Sequence, residues 1–492
     1  MKKYVVALDQ STSASKVFLL NRDGAIIRRF SKEHEQFYPA PGFCEHDAEE
    51  IFRNVIEGIR TVLDGIDPEE VGCISISNQR ETTVLWNRSD GTPACRAVVW
   101  QDVRGEYIAE ELRDAAQMVR QRTGLSLSPY YPAVKAAAVF REKPELLERA
   151  LQGELCVGTV DSYLIYRFTG GKTFATDVSN ASRTELMSLQ TLEWDPELAG
   201  LFGIPLCALP SKIYHSDADF GETSCDGIPA GIRITGVMGD SHAALFGNGC
   251  HTPGSAKATY GTGSSVMLNV GEKPILSENG LSASVGFGFR GKVCYVLEGN
   301  VTCSGDTLVW LRDGLGLFEK ISEVESLAAS VEHSDGVTLI PAFSGLGAPY
   351  FDSEARAIIC GMNRGTTRAH IARAALESIA QQDTDILEAM SRDCGQPVTE
   401  IFADGGATAN ALLMQMQADL VPCRINCAAA SELSALGAGY MGGIASGVYS
   451  AFNEINQRKE EGKHYLPRLS AESREALRKQ WKSAIRKSQN SL

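Results

Sequence analysis

The stretch GDSHAALFG, residues 239–247, is followed downstream by TYGTG, residues 259–263. In the first stretch, Asp240 opens a run of small and apolar residues that predicts a helix. Its carboxylate then lies at the positive end of the helix dipole and is suited to act as a base. In the second, a threonine between two glycines predicts a turn whose backbone N–H groups can hold phosphate oxygens. Phosphoryl transfer to an alcohol needs both features, a base for the hydroxyl proton and a cradle for the phosphate.

A second turn of this kind lies near the N-terminus, where residues 9–16 read DQSTSASK. It separates the apolar runs 4–8 and 17–20 and predicts a hairpin with a hydroxyl-rich tip. Residues 257–260 and 265–269 repeat this arrangement around the downstream turn. Asp9 is then either a turn-forming cap or a ligand that holds Mg²⁺ through water. Two phosphate-type turns far apart in the chain predict a two-domain kinase.

Length and composition narrow the class of protein. A chain of 492 residues is too long for one hydrophobic core, so we expect two domains. We place their boundary near residue 245, with the substrate-binding side in residues 1–245 and the nucleotide-binding side in 246–492. The net charge of −14, without a basic stripe, argues against nucleic-acid binding. No apolar stretch is long enough for a membrane span or a signal-peptide core, and the thirteen scattered cysteines favour reduced thiols, so we expect a cytoplasmic protein.

Strands alternate with helices along the chain, which predicts mixed α/β layers in both domains. We expect strands at residues 72–77 and 400–404, and helices from Asp47 to about residue 63, from Pro132, over 367–390 and from Asn410. Ligands in such sheets favour the carboxyl ends of strands. Four polar residues follow predicted strands: Asp9, Arg80, Glu81 and Asp404.

Several candidate residues leave two interpretations open. Arg80 and Glu81 form either a solvated ion pair or a polyol site, in which the arginine donates to one hydroxyl and the glutamate accepts from the next. Trp100 and Tyr130 belong either to an ordinary core or to a wall against substrate carbons. The glycines after Asp404 form either a tight turn or a loop that contacts a nucleotide.

A series of further motifs carries a family resemblance. The segments are VALDQ (6–10), YPAPG (38–42), EHD (45–47), NQRETT (78–83), AVVWQ (97–101), GTVD (158–161), NASRT (180–184), TYGTG (259–263), WLRD (310–313), GLGAPY (345–350), DGG (404–406) and Asn410. In this order, and over nearly the whole chain, they resemble the FGGY carbohydrate kinases. Within that family they are most similar to the members that phosphorylate glycerol.

The resemblance implies two actin-like, ribonuclease H-like ATPase domains with an active-site cleft between them. It also implies ATP and Mg²⁺ as cofactors, a small polyol as substrate and a homo-oligomer, dimer or tetramer. Asp240 would be the general base toward a terminal hydroxyl, and with Asp9 it would hold the metal. The polyol-binding residues would be Arg80, Glu81, Trp100, Tyr130, Asp240, Ser241 and Ser265. The nucleotide contacts would come from Thr12, Ser13, Lys16, Thr262, Gly305, Gly406 and Asn410.

The chain departs from the family pattern at two pocket positions. Members that act on glycerol carry glutamine where this chain has Ser241, and phenylalanine where it has Ser265. Replacing the glutamine amide and the phenylalanine ring with two hydroxymethyl side chains would make the pocket larger and more polar. Glycerol is therefore the leading substrate, and a larger polyol or ketose, such as a tetritol or the pentulose xylulose, is the alternative.

Other departures concern the nucleotide turn and regulation. Ser11 replaces a usual glycine and Ala14 a usual serine, although the hairpin should survive. The loop linked to fructose bisphosphate control in some family members is not recognisable at residues 225–233, so we do not expect that regulation. A non-catalytic scaffold or sugar sensor is disfavoured because Asp240 and the Arg80–Glu81 pair are present.

Overall fold

A computed structural model describes residues 2–428, 432–452 and 462–489. The first half of the chain forms twelve strands and eight helices. The strands are β1 (Tyr4–Gln10), β2 (Ala14–Leu20), β3 (Ile26–Glu33), β4 (Gln36–Phe37), β5 (Glu45–His46), β6 (Val71–Asn78), β7 (Thr83–Asn87), β8 (Ala97–Val98), β9 (Leu155–Thr159), β10 (Ala175–Asp177), β11 (Lys212–Tyr214) and β12 (Ile234–Gly239). The helices are α1 (Ala48–Val62), α2 (Glu106–Glu111), α3 (Ala116–Thr123), α4 (Pro132–Glu142), α5 (Pro144–Leu151), α6 (Val160–Phe168), α7 (Val178–Ala181) and α8 (Pro196–Leu201).

The second half alternates helices and strands more evenly. Its described elements are α9 (Asp240–Asn248), β13 (Ser255–Tyr260), β14 (Ser264–Gly271), β15 (Ser282–Phe289), β16 (Lys292–Val301), α10 (Gly305–Asp313), α11 (Val324–Ala329), β17 (Thr338–Ile340), β18 (Ile358–Cys360), α12 (Arg368–Cys394), β19 (Glu400–Asp404), α13 (Ala411–Leu420), β20 (Arg424–Cys427), α14 (Leu433–Ala445), β21 (His464–Tyr465) and α15 (Ala471–Gln489). Among the described helices, none is both long and apolar enough to cross a membrane.

Three larger sheets organise the described elements, in the orders β12-β6-β1-β2-β3, β15-β16-β14-β13-β19-β20-β21 and β4-β5-β8-β7-β9. In the first, β1 and β2 form an antiparallel hairpin, and β6 runs parallel to β1. In the second, β13 and β14 form the hairpin, and β19 runs parallel to β13. The two hairpins predicted around the phosphate-type turns are therefore confirmed, and both have a parallel strand beside the first arm.

The parallel register brings distant polar residues to one edge of the first sheet. Asn78, the last residue of β6, pairs with Gln10 of β1 and with Gly239 of β12. Because parallel strands end on the same side of a sheet, the residues that follow them converge. Asp9, Arg80 and Asp240 thus come from three strand ends that lie side by side.

Local signals in the sequence account for several helix boundaries. The Asp47 carboxylate accepts a hydrogen bond of 2.9 Å from the amide of Glu49 and caps α1. Pro132 is the first residue of α4, as expected for a residue without an N–H. The predicted helix over 367–390 forms, but it continues to Cys394 and ends at a left-handed Gly395 with φ +65°. The longer helix follows because no proline interrupts its periodic pattern before that glycine.

The two halves share a buried core. One cluster contains Val5 and Met238 from the first half together with Met267, Phe287 and Met441 from the second. Within it, α14 packs against α9, the helix that begins with Asp240. The contact is so close that a Cβ on Gly437 would lie 1.8 Å from the carbonyl oxygen of Ala243. The position of Asp240 therefore depends on a glycine in the last quarter of the chain.

We predict that Gly437→Ala lowers the free energy of unfolding by about 2–3 kcal/mol, because overpacking at a backbone contact forces the helices apart. The displacement should also reduce catalytic turnover, since α9 carries Asp240. Chemical denaturation measures the stability change. Gly200→Ala is the matched control, because a Cβ there meets no atom within 4 Å and the change should be neutral or stabilising by less than about 1 kcal/mol. Equal denaturation midpoints for the two variants would contradict this packing argument.

Candidate active site

Asp240 occupies the junction between β12 and α9, as the sequence predicts. Its side chain is 36% exposed, and its Oδ1 lies 3.3 Å from Nε of Arg80. The same oxygen accepts a 2.6 Å hydrogen bond from the amide of Ser241. The carboxylate is thus oriented by a guanidinium and a helix N-terminus while remaining open on one side. This is the placement that a general base toward a hydroxyl requires.

Arg80 and Glu81 do not form a solvated ion pair with each other. Both are buried, and each pairs with another residue. The two terminal nitrogens of Arg80 donate to the carboxylate of Glu298 at 3.0 and 2.8 Å. Arg183 links the pairs, since its Nε donates to Glu81 at 2.6 Å and its Nη1 lies 3.0 Å from Glu298. These four residues, Arg80, Arg183, Glu81 and Glu298, are called the ionic network below.

The ionic network carries two positive and two negative charges. The Asp240 carboxylate, which lies beside Arg80, is a third carboxylate at the edge of this network. Burial alone would raise the pKa of Glu298, but the guanidiniums of Arg183 and Arg80 hold that pKa well below its usual range. The pairing therefore favours the charged form of Glu298. Sequence reasoning missed Glu298, which lies inside an ordinary strand, and assigned no role to Arg183, although Arg183 lies in one of the family motifs.

Trp100 and Tyr130 come together as a half-buried aromatic wall rather than as separate core residues. Their ring centroids are 5.8 Å apart, and Tyr130 in turn meets Tyr131 at 5.2 Å, both edge to face. Burial raises the pKa of Tyr130 well above its ordinary value, and the Glu81 carboxylate acts in the same direction. The guanidinium of Arg183 lies over the ring of Tyr131, 5.2 Å from its centroid, so these aromatic rings lie beside the ionic network. This combination suits a polyol, which offers both C–H and O–H groups.

Lys135 supports this wall and was not predicted from the sequence. It is fully buried on α4. Its Nζ donates to the carbonyl oxygens of Pro129, at 2.9 Å, and of Tyr130. Burial lowers the pKa of Lys135 to about 7, against the attraction of the Glu81 carboxylate. A lysine among alanines on an apolar helix face was the only available signal.

His242 is buried, as expected for a packed helix residue, and its Nε2 lies 3.4 Å from the hydroxyl of Ser284. Ser241 follows Asp240 at the start of α9. Ser265 lies on β14 opposite Thr259 and Asn300. Its hydroxyl oxygen is buried and has no hydrogen-bond partner among the described residues. The position where the family pattern expects a ring therefore holds an unsatisfied hydroxyl.

The N-terminal turn keeps its shape despite the departures at Ser11 and Ala14. The amide and hydroxyl of Ser11 both donate to the carbonyl of Ala14, at 2.9 and 3.0 Å. Ser13 is exposed at the tip, and the hydroxyl of Thr12 accepts a 2.9 Å hydrogen bond from the indole of Trp100. Lys16 lies 3.4 Å from Glu432 and 3.9 Å from Asp9. Hydroxyls and one amine are thus directed to the same sheet edge as Asp240.

The downstream turn is tied to the start of α10. The carbonyl of Thr262 accepts hydrogen bonds from the amides of Ser304 and Asp306, and the amide of Gly305 donates to the carbonyl of Gly261. Thr262 itself remains exposed. The predicted residues Thr262 and Gly305 therefore belong to one connected loop structure at the end of β13.

The strand β19 brings the other predicted nucleotide residues beside this turn, because Asp404 pairs with Thr259. Gly405 has φ +95°, and a Cβ there would lie 2.4 Å from the carbonyl of Tyr260. At Gly406, by contrast, a Cβ would meet no atom within 4 Å, so the loop faces open space. Asn410 caps α13 by accepting from the amide of Leu413 at 2.9 Å. The tight turn is therefore confirmed at Gly405, and the open space beside Gly406 is compatible with the predicted nucleotide contact.

Asp9 has the surroundings of a carboxylate that would hold a cation. It is buried, and Ser77 donates to its Oδ1 at 3.1 Å. Burial raises the pKa of Asp9 to about 6, Lys16 opposes the shift, and the nearby Asp240 carboxylate adds to it. In the described ranges, no group of three or more His, Cys, Asp or Glu side chains is arranged as a metal site. Mg²⁺ commonly uses only one or two carboxylates together with phosphate oxygens and water, so the donor set fits this ion.

Comparison with known proteins identifies the class. Residues 4–247 match the N-terminal domain, and residues 256–446 the C-terminal domain, of the FGGY family of carbohydrate kinases. The chain therefore belongs to this family. It is a phosphotransferase with ATP as phosphate donor and a small sugar or polyol as acceptor. The predicted fold of two mixed α/β, actin-like domains with a cleft between them is confirmed.

Several individual members of the family are similar to the chain over nearly its whole length. The chain is 45% identical over 488 residues to glycerol kinase 1 of Thermotoga maritima, covering 98% of this chain and 99% of the relative. It is 43% identical to the glycerol kinase of Chromobacterium violaceum, covering 98% and 97%. The crystal structure of Plasmodium falciparum glycerol kinase with ADP superposes with a TM-score of 0.95 at 31% identity, covering 99% of this chain and 98% of that one. A ligand-bound xylulose kinase from Lactobacillus acidophilus shares the fold, with a TM-score of 0.89 at 23% identity.

Lys135 should make stability depend on pH. Its pKa is about 7 in the folded protein and 10.5 in the unfolded chain, so between these values the unfolded chain binds more protons. The contribution of Lys135 to stability should therefore rise with pH in this window, by about 2 kcal/mol between pH 7 and 8.5. Asp383, whose pKa burial raises to about 8, acts in the opposite direction and does so equally in the variants below. We predict that Lys135→Met removes this rise, measured by urea denaturation at both pH values. Lys172→Met, at an exposed lysine, is the control and should keep the wild-type slope. Parallel slopes for wild type and Lys135→Met would refute the assignment.

Proposed function

We propose that the protein is an ATP-dependent glycerol kinase, which transfers the γ-phosphate of ATP to a terminal hydroxyl and forms glycerol 3-phosphate. One observation carries the proposal. Asp240 lies at an edge formed by three parallel strand ends, 3.3 Å from Arg80 of the ionic network, and the N-terminal phosphate-type turn follows one of these strands. The similarity to relatives named glycerol kinases over nearly their whole length supports the choice of substrate.

The side chains on the acceptor side of the site have different roles in the reaction. Asp240 accepts the proton from the attacking hydroxyl, with Arg80 beside it to orient the carboxylate. Glu81 accepts from a neighbouring hydroxyl of the polyol, while Trp100 and Tyr130 cover its carbon atoms. Water is a competing phosphoryl acceptor, and the aromatic wall excludes it from this side of the acceptor.

The phosphates lie between the two turns in this proposal. Thr12, Ser13 and Lys16 approach them from residues 1–245. Thr262, Gly305, Gly406 and Asn410 contact the nucleotide from residues 246–492. Asp9 and Asp240 would hold Mg²⁺, which neutralises phosphate charge during transfer. Burial raises the pKa of Asp9 and the Asp240 carboxylate adds to that rise, and a cation beside both groups would offset the repulsion.

A larger polyol or a ketose is the second candidate substrate. The observation that favours it is the buried, unpartnered hydroxyl of Ser265. A buried polar group without a partner is unfavourable, and a further hydroxyl on a longer substrate would satisfy it. Ser241 adds a second small side chain at the same pocket.

We predict that Asp240→Asn lowers kcat by 10²-fold or more, because the amide cannot accept the hydroxyl proton. Nucleotide binding, measured by calorimetry without Mg²⁺, should change little, since the residues assigned to contact the nucleotide itself do not include Asp240. Asp67→Asn is the matched control, because Asp67 is an exposed cap of a single turn and asparagine caps equally well. An active Asp240→Asn variant would remove Asp240 as the base.

The substrate is tested by ATP consumption with glycerol, tetritols, pentitols and ketopentoses. We expect the highest kcat/KM with glycerol. Ser265→Phe should lower KM for glycerol and reduce kcat/KM for four- and five-carbon substrates by about tenfold or more, because the ring fills the added space. Ser265→Ala, which leaves the space open, should not reproduce that shift. A wild-type preference for a longer substrate would make the second candidate correct, and no turnover with any of them would overturn the kinase assignment.

A further inference from the structure

One hydrogen bond crosses from the polyol wall to the phosphate turn. The indole Nε1 of Trp100 donates to Oγ1 of Thr12 at 2.9 Å. Trp100 lies just beyond β8, and Thr12 lies at the tip of the β1–β2 hairpin. On its other side, the ring of Trp100 meets Tyr130. One side chain therefore contacts both halves of the reaction site.

A chain of further hydrogen bonds holds Trp100 in this position. The amide of Trp100 donates to the hydroxyl of Thr82 at 3.2 Å, and that hydroxyl donates to Oε1 of Gln79 at 2.7 Å. Gln79 is joined to Gln10 by its amide, at 2.7 Å, and by its side chain, at 2.9 Å. Gln10 is the last residue of β1, directly before the phosphate turn. The wall and the turn are thus connected by backbone and side chain together.

The indole contact fixes what the Thr12 hydroxyl can do. A hydroxyl has one hydrogen to donate and two lone pairs that accept, whereas an indole N–H only donates. By occupying a lone pair, Trp100 leaves the hydroxyl proton of Thr12 free to point toward another acceptor. Phosphate oxygens accept only. Trp100 therefore orients Thr12 for phosphate.

We propose that the Trp100–Thr12 hydrogen bond couples the two substrates, so that a polyol against Trp100 strengthens the binding of the ATP phosphates at Thr12. Trp100 is then a positioning residue for the nucleotide in addition to its contact with the polyol. The inference deepens the proposed function and rests on it. Thermodynamic coupling is reciprocal, so ATP strengthens polyol binding by the same factor.

The test compares nucleotide affinity with and without polyol. Calorimetry measures the Kd of the β,γ-imido analogue of ATP with Mg²⁺, first alone and then with saturating glycerol. Glycerol packed against Trp100 would restrict the indole to the orientation that donates to Thr12. The gain is then at most one net hydrogen bond, so glycerol should tighten wild-type binding by up to about threefold to tenfold. In Trp100→Phe, which keeps a ring but lacks the donor, the ratio of the two Kd values should fall toward one.

Further variants separate coupling from damage to the fold. Thr12→Val should lose the coupling, and Thr12→Ser, which keeps the hydroxyl, should retain it. The double variant Trp100→Phe/Thr12→Val should be no worse than the more impaired single variant, because both remove one bond. Trp194→Phe is the matched control, since its indole donates to the carbonyl of Pro210 at 2.7 Å on another part of the chain. It should keep the wild-type ratio.

The outcomes distinguish this inference from the proposed function. Two results would refute the coupling and leave the proposed function standing. In the first, wild type turns over glycerol but the ratio of its nucleotide Kd values without and with glycerol is near one. In the second, Trp100→Phe keeps the wild-type ratio of these Kd values. Loss of coupling in Thr12→Ser as in Thr12→Val also refutes it. If wild type does not phosphorylate glycerol, the proposed function fails. The ratio is then measured with the substrate that is turned over, and the same criteria apply.

Discussion

The buried pairing of Glu298 with Arg80 and Arg183 is the interaction on which the site depends. A charge without a partner in a protein interior is strongly unfavourable, so these side chains must meet once the chain is folded. They come from three segments that are distant in sequence, and Glu298 belongs to the sheet of the second half. Their pairing sets Arg80 beside Asp240 and holds Glu81, whose backbone has the unusual φ of +61°. The ionic network therefore joins the two halves at the point where chemistry is proposed.

Around this network, the backbone fold sets the directions in which the functional side chains point. Three parallel strands end together and direct Asp9, Arg80 and Asp240 to one edge. Helix α14 presses on α9 through a glycine contact that leaves no space for a Cβ, and so fixes the helix that begins with Asp240. Charge pairing decides which side chains meet, and backbone packing decides where they point. Charge pairing fixes Arg80, which lies beside Asp240, and helix packing fixes α9, which begins with Asp240.

Substrate identity depends on a smaller set of contacts than the reaction class does. The reaction class follows from membership of the FGGY family, whose two domain models match residues 4–247 and 256–446. In the proposed site the acceptor is chosen by side chains of the pocket wall, and the buried hydroxyl of Ser265 has no hydrogen-bond partner among the described residues. Trp100 belongs to both proposed sets, because its ring is part of the wall and its indole nitrogen donates to Thr12 of the phosphate turn. The coupling proposed above would link selection of the acceptor to orientation of the donor.

Features that depend on neighbours in sequence could be predicted from the sequence. The helix cap at Asp47, the helix start at Pro132, the two hairpins and the helix that opens with Asp240 all follow from local chemistry. Features that depend on register between distant strands could not. Nothing near Glu298 marks it as the partner of Arg80, and Lys135 resembles any lysine on a helix. By itself the sequence determined the class of fold, the family and the reaction. Only the tertiary structure decided which charges pair and how the wall joins the phosphate turn, because these contacts exist only when remote segments are packed together.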